Sequence, residues 1–272
     1  MTTRHDTLSI RWLGYATARL ADAETTAYTD PGRYGVLTGE WQAPRGVDTR
    51  HPTGPPYDAR DGDLVLVTHD HHYDPDGIRR VAAPEATLVV YEGVDAERAG
   101  RPPSPEALAE QEGYDLVRIG ERETVEAAGV PVRSLPAYND PDGPHARPDG
   151  SVVHPEGFGV GYRFEIGGVS ILWPGDSDVL PHHADLDVSL LLANVSGSVC
   201  MNRHEAADLA ERLDPDLVCP IRHTVVSRGG FSGLRGRRGR SRRPGRPRRR
   251  LGVTHDRRRR GRSFNFTSFH RR

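Results

Sequence analysis

THDHHYDPDG, residues 68–77, directly follows the apolar run LVLV at residues 64–67. It holds three histidines and three aspartates within eight residues. His69 and His71 are two positions apart, so at the end of an extended strand both imidazoles project to the same side. Burying these side chains without partners would cost on the order of several kcal/mol. The stretch predicts that a strand of an α/β fold ends at a metal centre. A solvated polar loop is the alternative.

Further candidate ligands also stand at predicted strand ends or in loops. They are Asp30 in TDPG, His154, Asp176 in PGDSD, and His223. Active centres of α/β folds form where strands end, and imidazole with carboxylate suits zinc, manganese or iron. Each residue alone has an ordinary explanation, such as a turn aspartate or a surface histidine. Together they predict one or two divalent transition metal ions, zinc first, with manganese or iron as alternatives.

Strands and helices alternate along the chain. Strands are predicted at residues 8–13, 25–30, 64–69, 87–91, 130–135, 160–166, 169–174, 187–194 and 216–221. The Gly-Gly pair at residues 167–168 predicts a hairpin. Helices are predicted after Asp76, from Ser104 with Pro105 at the first helical position, and from Asn202, where Glu205 completes a capping box. This interleaving predicts a layered α/β architecture. His145, His182 and His183 are interpreted as surface histidines.

The charge divides the chain into two parts. Residues 228–272 contain 18 arginines and one acid, whereas residues 1–227 contain 37 acids and 19 arginines, and the chain has no lysine. An acidic body of this kind is typical of a salt-rich cytoplasm, where salt screens self-repulsion. An ordinary acidic protein of a GC-rich genome is the alternative. No apolar run reaches the roughly 18–20 residues that span a membrane, and no signal-peptide pattern is present. A cytoplasmic protein without a membrane partner is expected.

The chain resembles metallo-β-lactamase-fold hydrolases, in particular the branch similar to ascorbate-phosphate lactonase. The resemblance runs from about residue 8 to His223. It rests on WLGYAT at residues 12–17, TDPG at 29–32, the histidine cluster, HPEGFGVGYRFEIGGVSILWPGDSD at 154–178, DVSLLLANVSG at 187–197 and MNRHEAADLAERLDPDLVCPI at 201–221. It implies an αββα sandwich over residues 1–227.

The resemblance also implies a ligand set. His69, His71 and His154 would hold one metal ion, and Asp176 would bridge to a second ion. Asp74 and His223 would belong to the second site, and Asp30 would position the cluster from behind its ligands. Asp176 and Asp74 would be the catalytic carboxylates that orient the attacking water or take its proton.

Two departures from the family pattern concern the second ion. The family has H-x-H-x-D-H, whereas this chain reads HDHHYDP, so a one-residue insertion aligns Asp74 but leaves Pro75 in place of the last histidine. His72 is either a substitute ligand or an outward-facing residue, and without a substitute ligand the second ion would be bound weakly or not at all. The family histidine that follows P-I is replaced by Arg222, and His223 stands one place late.

Residues 228–272 form an arginine-rich tail with too few apolar residues to build a packed segment. One interpretation is a disordered arm that binds nucleic acid, because arginine neutralises phosphates and stacks on bases. The other is a shifted reading frame, since GAC and GCC codons read out of frame give Arg, Gly and Pro. The change falls close to the irregular PIRHT at residues 220–224, which favours the frame shift.

The function expected is that of a metal-dependent hydrolase. The metal lowers the pKa of a bound water toward about 7, and the hydroxide attacks a carbonyl (lactone-like) or phosphoryl ester of a small-molecule substrate. One alternative is a non-catalytic or disabled metal-binding protein of the same fold. Another is a nuclease that uses the tail, so nucleic acid is a partner only if the tail is genuine. The resemblance also suggests a homo-oligomer.

Overall fold

The computed structural model describes residues 2–40, 51–52, 54–197 and 199–223. The arginine-rich tail and both of its interpretations lie outside the described residues. None of the helices found in the described ranges is both long and apolar enough to cross a membrane.

The first sheet has seven strands that follow one another across it in chain order. They are β1 Thr3–His5, β2 Leu8–Gly14, β3 Thr17–Ala21, β4 Thr26–Thr29, β5 Gly62–Val67, β6 Ala82–Tyr91 and β7 Asp115–Ile119. Strands β1 to β4 pair antiparallel, and β4 to β7 pair parallel. Because β4 and β5 are parallel, the residues that follow them, Asp30 and Thr68, emerge at the same edge.

The second sheet has six strands in the order β13-β12-β11-β10-β9-β8. They are β8 Thr124–Ala127, β9 Val130–Ala137, β10 Gly159–Ile166, β11 Val169–Trp173, β12 Leu190–Asn194 and β13 Leu217–Ile221. The predicted hairpin is confirmed as the antiparallel pair β10–β11. Strands β11, β12 and β13 are parallel, so Asp176, Asn194 and Arg222 all stand at or just beyond the carboxyl ends of neighbouring strands.

Within the described residues, the five α-helices are short, and two 3-10 helices accompany them. The α-helices are α1 Tyr34–Thr38, α2 Pro75–Val81, α3 Ala96–Ala99, α4 Pro105–Glu112 and α5 Arg203–Leu213, and the 3-10 helices are Asp70–His72 and Pro181–Asp185. The predicted starts of α4 and α5 are confirmed. The Ser104 hydroxyl accepts from the Ala107 N–H, and Asn202 and Glu205 form the reciprocal capping box.

The two sheets face each other across the main apolar core, and a smaller core lies between the second sheet and α5. Helices α2 and α4 contact the first sheet, so the layers run helix, sheet, sheet, helix. Two hydrogen bonds join the sheets beside the histidine cluster. The Tyr162 hydroxyl donates to the Val67 carbonyl at 2.8 Å, and the Val160 N–H donates to the Thr68 carbonyl at 3.1 Å. The layered α/β fold expected from the sequence is confirmed.

Four strands are missing from the sequence prediction, namely β1, β3, β7 and β8. Three of them, β1, β7 and β8, lie at sheet edges. Each of these three is only three to five residues long and has at most one buried residue, so its apolar pattern is weak. Strand β6 also begins at Ala82, earlier than predicted, through the polar residues Pro84 and Glu85.

Candidate metal centre

The candidate site lies where strand ends of both sheets meet. His69 follows β5, and His71 lies in the 3-10 helix Asp70–His72 just beyond it. From the second sheet, His154 precedes β10, and Asp176 follows β11. His69, His154 and Asp176 are each at most 2% exposed.

His69, His71 and His154 form one group of potential metal donors, with all donor atoms within 4.8 Å of one another. Nδ1 of His71 lies 3.2 Å from Nε2 of His154. Nε2 of His154 lies 3.5 Å from Oδ2 of Asp176. A tetrahedral zinc ion with Zn–N bonds of about 2.0–2.1 Å separates its ligand atoms by about 3.3 Å. The spacing of these side chains therefore fits a transition metal ion.

A hydrogen-bond relay fixes the tautomer of His69. The Thr68 hydroxyl lies 2.8 Å from Nδ1 of His69 and 2.9 Å from Oδ2 of Asp30. With Asp30 ionised, its carboxylate can only accept, so the hydroxyl donates to Asp30 and accepts from Nδ1–H of His69. The lone pair of His69 is then on Nε2, which is buried and has no hydrogen-bond partner among the described residues. Metal ligation would satisfy this atom.

The backbone holds His154 in a similar way. Its Nδ1–H donates to the Val199 carbonyl at 3.1 Å, so Nε2 carries the lone pair that faces His71. Its N–H donates to Oδ1 of Asn139, and its carbonyl accepts from the Asn139 N–H. Loop contacts thus aim Nε2 of His154 at the cluster.

Burial keeps these imidazoles neutral. It lowers the pKa of His69 well below its usual value. Burial, with the neighbouring His154, lowers the pKa of His71 to about 3, and burial together with Arg222 lowers that of His154 to about 3. A neutral imidazole is the form that binds a metal, so no proton needs to leave these rings at pH 7.

A second donor group consists of His69, His72 and Asp176. Here an arginine is already present. The Arg222 Nη2 forms an ion pair with Oδ2 of Asp176, and its Nε donates to Nε2 of His72 at 3.1 Å. Asn194 donates to the other carboxylate oxygen of Asp176 at 3.0 Å. Both carboxylate oxygens of Asp176 therefore have protein partners.

Asp30 lies behind the histidines, where the sequence analysis expected it. Its carboxylate accepts from the Thr68 N–H at 2.8 Å, from Nε1 of Trp173 at 2.7 Å and from Nδ1 of His72 at 2.9 Å. Burial raises its pKa to about 7, against the lowering effect of the hydrogen bonds from Thr68 and Trp173. Asp30 thus orients His72 directly and His69 through Thr68.

The structure does not bring Asp74 or His223 into either donor group. The Asp74 carboxylate caps α2 through the N–H groups of Asp76 and Gly77, and it also accepts from the Tyr34 N–H. The His223 ring packs against Trp12 with centroids 4.5 Å apart. The expectation that these two residues complete a second metal site does not match these contacts. An Asp-Pro pair is an ordinary helix start, and Arg222, not His223, reaches the centre.

The polar residues Thr68, Asn139, Asn194 and Arg222 were not among the predicted site residues. The irregular PIRHT segment contains Arg222, but its pattern predicts a displaced histidine or a frame shift and no role for the arginine. The other three carry neutral side chains that no ligand pattern distinguishes. Two surface assignments are wrong. His183 is buried, and the almost buried His145 ring lies 3.0 Å from the Glu205 carboxylate.

Comparisons with known proteins agree with this architecture. The family model described as a β-lactamase superfamily domain matches residues 9–222. No curated protein matches the sequence.

Three solved structures share the fold. A protein from Parabacteroides distasonis, to which metal-dependent hydrolase activity has been attributed, is 19% identical with a TM-score of 0.55, covering 86% of this chain and 89% of that one. The isothiocyanate hydrolase from Delia radicum gut bacteria is 14% identical with a TM-score of 0.53, covering 79% and 84%. The diiron β-hydroxylase CmlA from Streptomyces venezuelae is 17% identical with a TM-score of 0.51, covering 81% and 45%. At these identities the likeness concerns the fold alone.

Proposed function

We propose, from the premise that this chain belongs to the β-lactamase superfamily, that it is a metal-dependent hydrolase of a carbonyl (lactone-like) or phosphoryl ester. One observation carries the proposal. Three neutral imidazoles, those of His69 and His154 buried and that of His71 partly buried, converge from two sheets, and Nε2 of His69 has no hydrogen-bond partner within the described part of the chain. Such an arrangement of lone pairs costs free energy unless a cation binds it.

His69, His71 and His154 would hold the ion. Zinc is the first choice for a three-histidine site, and manganese or iron are the alternatives. When bound, a divalent ion would act as a Lewis acid, lower the pKa of water and polarise the substrate oxygen.

Asp176 is the residue of this chain suited to handle the proton of the attacking water. Its Oδ2 lies 3.5 Å from Nε2 of His154 and 3.8 Å from Nε2 of His69, so it borders the space between these rings. Asn194 and Arg222 hold the carboxylate in place. A fixed carboxylate at this point can orient a water molecule by accepting its hydrogen bond.

Both proposed substrate classes place negative charge on an oxygen during attack. A guanidinium beside the reacting group stabilises such charge, and Arg222 supplies one within the centre. The same fold hosts unrelated reactions, so the ester class is the proposal and the particular substrate is what a substrate screen would identify.

The test compares the wild-type protein with His69→Ala and His154→Ala, and with His204→Ala as a control at an exposed position of α5. Metal content would be measured by elemental analysis, and turnover with chromogenic lactones, carboxylic esters and phosphodiesters. We expect the wild type and His204→Ala to contain metal and to hydrolyse at least one ester class. The two cluster variants should lose metal and activity together. Undiminished turnover in either cluster variant would contradict the assignment.

The ion pair between Arg222 and Asp176 favours a second candidate, a metal-binding protein without catalysis, because Arg222 already occupies the carboxylate oxygen that borders the histidine rings. Metal bound at full occupancy with no turnover on any ester would favour this candidate. A nuclease function depends on the tail, which lies outside the described residues. Salt-sensitive nucleic-acid binding that disappears on truncation at Gly229 would support it.

A further inference from the structure

We propose that the Arg222 guanidinium takes the place of a second metal ion, so that the centre binds a single ion per chain. This inference rests on the proposed function, because it assumes that His69, His71 and His154 bind metal. It concerns the second donor group, His69, His72 and Asp176. Without Arg222, the ligand atoms of this group would be available to another cation.

Arg222 contacts two of the three residues of that group, Asp176 and His72. Its Nη2 pairs with Oδ2 of Asp176, and that same oxygen lies 3.8 Å from Nε2 of His72 and 3.8 Å from Nε2 of His69. A second ion bound through Asp176 and His72 would have to displace the guanidinium. The cation that the carboxylate needs is therefore already part of the polypeptide.

His72 is engaged on both ring nitrogens. Its Nε2 accepts from Nε of Arg222 at 3.1 Å, which places the ring proton on Nδ1, and Nδ1–H donates to Oδ2 of Asp30 at 2.9 Å. The lone pair that could coordinate a metal is the one that Arg222 uses. His71 and His154 differ, because their facing nitrogens lie 3.2 Å apart and no arginine among the described residues donates a hydrogen bond to either of them.

The backbone holds Arg222 firmly. Residue 222 adopts a left-handed conformation with φ +52°, which is uncommon for a residue other than glycine. Its N–H donates to the Tyr15 carbonyl at 3.0 Å, and its guanidinium lies 4.9 Å from the centre of the Tyr15 ring. Tyr15 itself has φ +49°. Two such residues in contact indicate that the surrounding structure imposes this arrangement.

Burial explains why the guanidinium cannot simply move aside. Arg222 is 4% exposed, and a buried guanidinium needs a carboxylate partner because desolvation penalises an unpaired charge. An incoming divalent ion would separate Arg222 from Asp176 and place two cations side by side. A second ion is thus disfavoured by repulsion and by the loss of the ion pair.

The experiment counts metal ions. Metal-free wild-type protein is titrated with Co²⁺ and with Zn²⁺, and binding is followed by the visible absorption of cobalt and by elemental analysis after removal of free metal. We expect saturation at one equivalent per chain. In Arg222→Ala, which frees Asp176 and His72, a second equivalent should bind. The double variant Arg222→Ala/His72→Ala should return to one, and Arg222→Lys, which retains a cation, should stay at one.

Each outcome is decisive. Two equivalents in the wild type, both lost in His69→Ala, would overturn this inference and leave the proposed function intact. No bound metal in the wild type would overturn both. A folded Arg222→Ala that still saturates at one equivalent would also overturn the inference. If circular dichroism shows Arg222→Ala to be unfolded, the wild-type count and Arg222→Lys decide between one ion and two.

Discussion

The Thr68 hydroxyl lies 2.8 Å from Nδ1 of His69, the adjacent residue, and this contact sets which nitrogen of His69 faces the cluster. The hydroxyl also donates to the buried Asp30 carboxylate. One side chain without charge thus connects a candidate metal ligand to the carboxylate behind it.

Replacing Thr68 by valine should weaken metal binding by roughly 10–100-fold, the usual effect of removing a group that orients a metal-bound histidine. Valine keeps the branched shape but leaves Nδ1 of His69 and the Asp30 carboxylate without the hydroxyl. Thr68→Ser retains the hydroxyl and is the matched control. The affinity would be measured by competition with a chromophoric chelator. Equal affinities in the valine and serine variants would show that the relay does not matter for metal binding.

Asn202→Ala should lower the free energy of unfolding by about 1 kcal/mol. The Asn202 side chain accepts from the N–H groups of His204 and Glu205 at the start of α5, which covers the smaller core. Urea denaturation would measure the loss. His204→Ala changes the exposed neighbour without touching the cap and should lie close to the wild type. A loss of the same size in both variants would argue against the capping explanation.

Acid should destabilise the protein partly through His183. Burial, with the neighbouring His182, lowers the pKa of His183 to about 3, whereas the pKa of a histidine in the unfolded chain is about 6.5. Between these pH values the unfolded state binds the proton and the folded state does not. The contribution of neutral His183 to the free energy of unfolding is therefore complete above about pH 6.5 and is lost as the pH falls toward about 3. His183→Asn can still accept from the Leu180 N–H, as Nδ1 does. The free energy of unfolding of this variant should depend less steeply on pH than that of the wild type, by up to about 1.4 kcal/mol per pH unit. Urea denaturation at several pH values would measure this, and parallel curves for the two proteins would contradict the prediction.

Gly32→Ala should destabilise the protein by roughly 1–3 kcal/mol or more, because an added Cβ at residue 32 would lie 2.0 Å from the carbonyl oxygen of His72. The clash is with the backbone, which cannot rotate away. Gly100→Ala is the control, since its Cβ has nothing within 4 Å and only its left-handed φ of +67° opposes alanine. Thermal unfolding would compare the two. A midpoint for Gly32→Ala at or above that of Gly100→Ala would mean that the loop after β4 can move away from His72.

Much of this architecture could be predicted from the sequence because its signals are local. The apolar runs of β5, β12 and β13, the Gly-Gly turn and the two capped helices each depend on a few neighbouring residues. The edge strands β1, β7 and β8 could not, because they are short and each has at most one buried residue, which leaves little apolar pattern. A short helix such as α1 gives no start signal either, because the residue at its N-cap, Arg33, makes no side-chain capping hydrogen bond.

The candidate site likewise contains residues that could be predicted from the sequence and residues that could not. The sequence placed His69, His71, His154 and Asp176 at strand ends, and the structure brings them together. Asp74 was ambiguous, because an aspartate at this position is a ligand in the family pattern, whereas Asp-Pro is also a common helix start. In the structure Asp74 caps the start of α2. The position of Arg222 depends on the pairing of β13 with β12 and on the left-handed turn after it, which are contacts between distant parts of the chain.

The candidate ligands come from both halves of the sandwich, His69 and His71 beyond the first sheet and His154 and Asp176 from the second. An ion held by them would act as a cross-link between segments more than eighty residues apart in the sequence. A cross-link of that kind forms only after both sheets have folded and docked. Metal uptake would therefore report completed assembly of the domain, and a nascent chain with only its first sheet formed would bind no ion at this position.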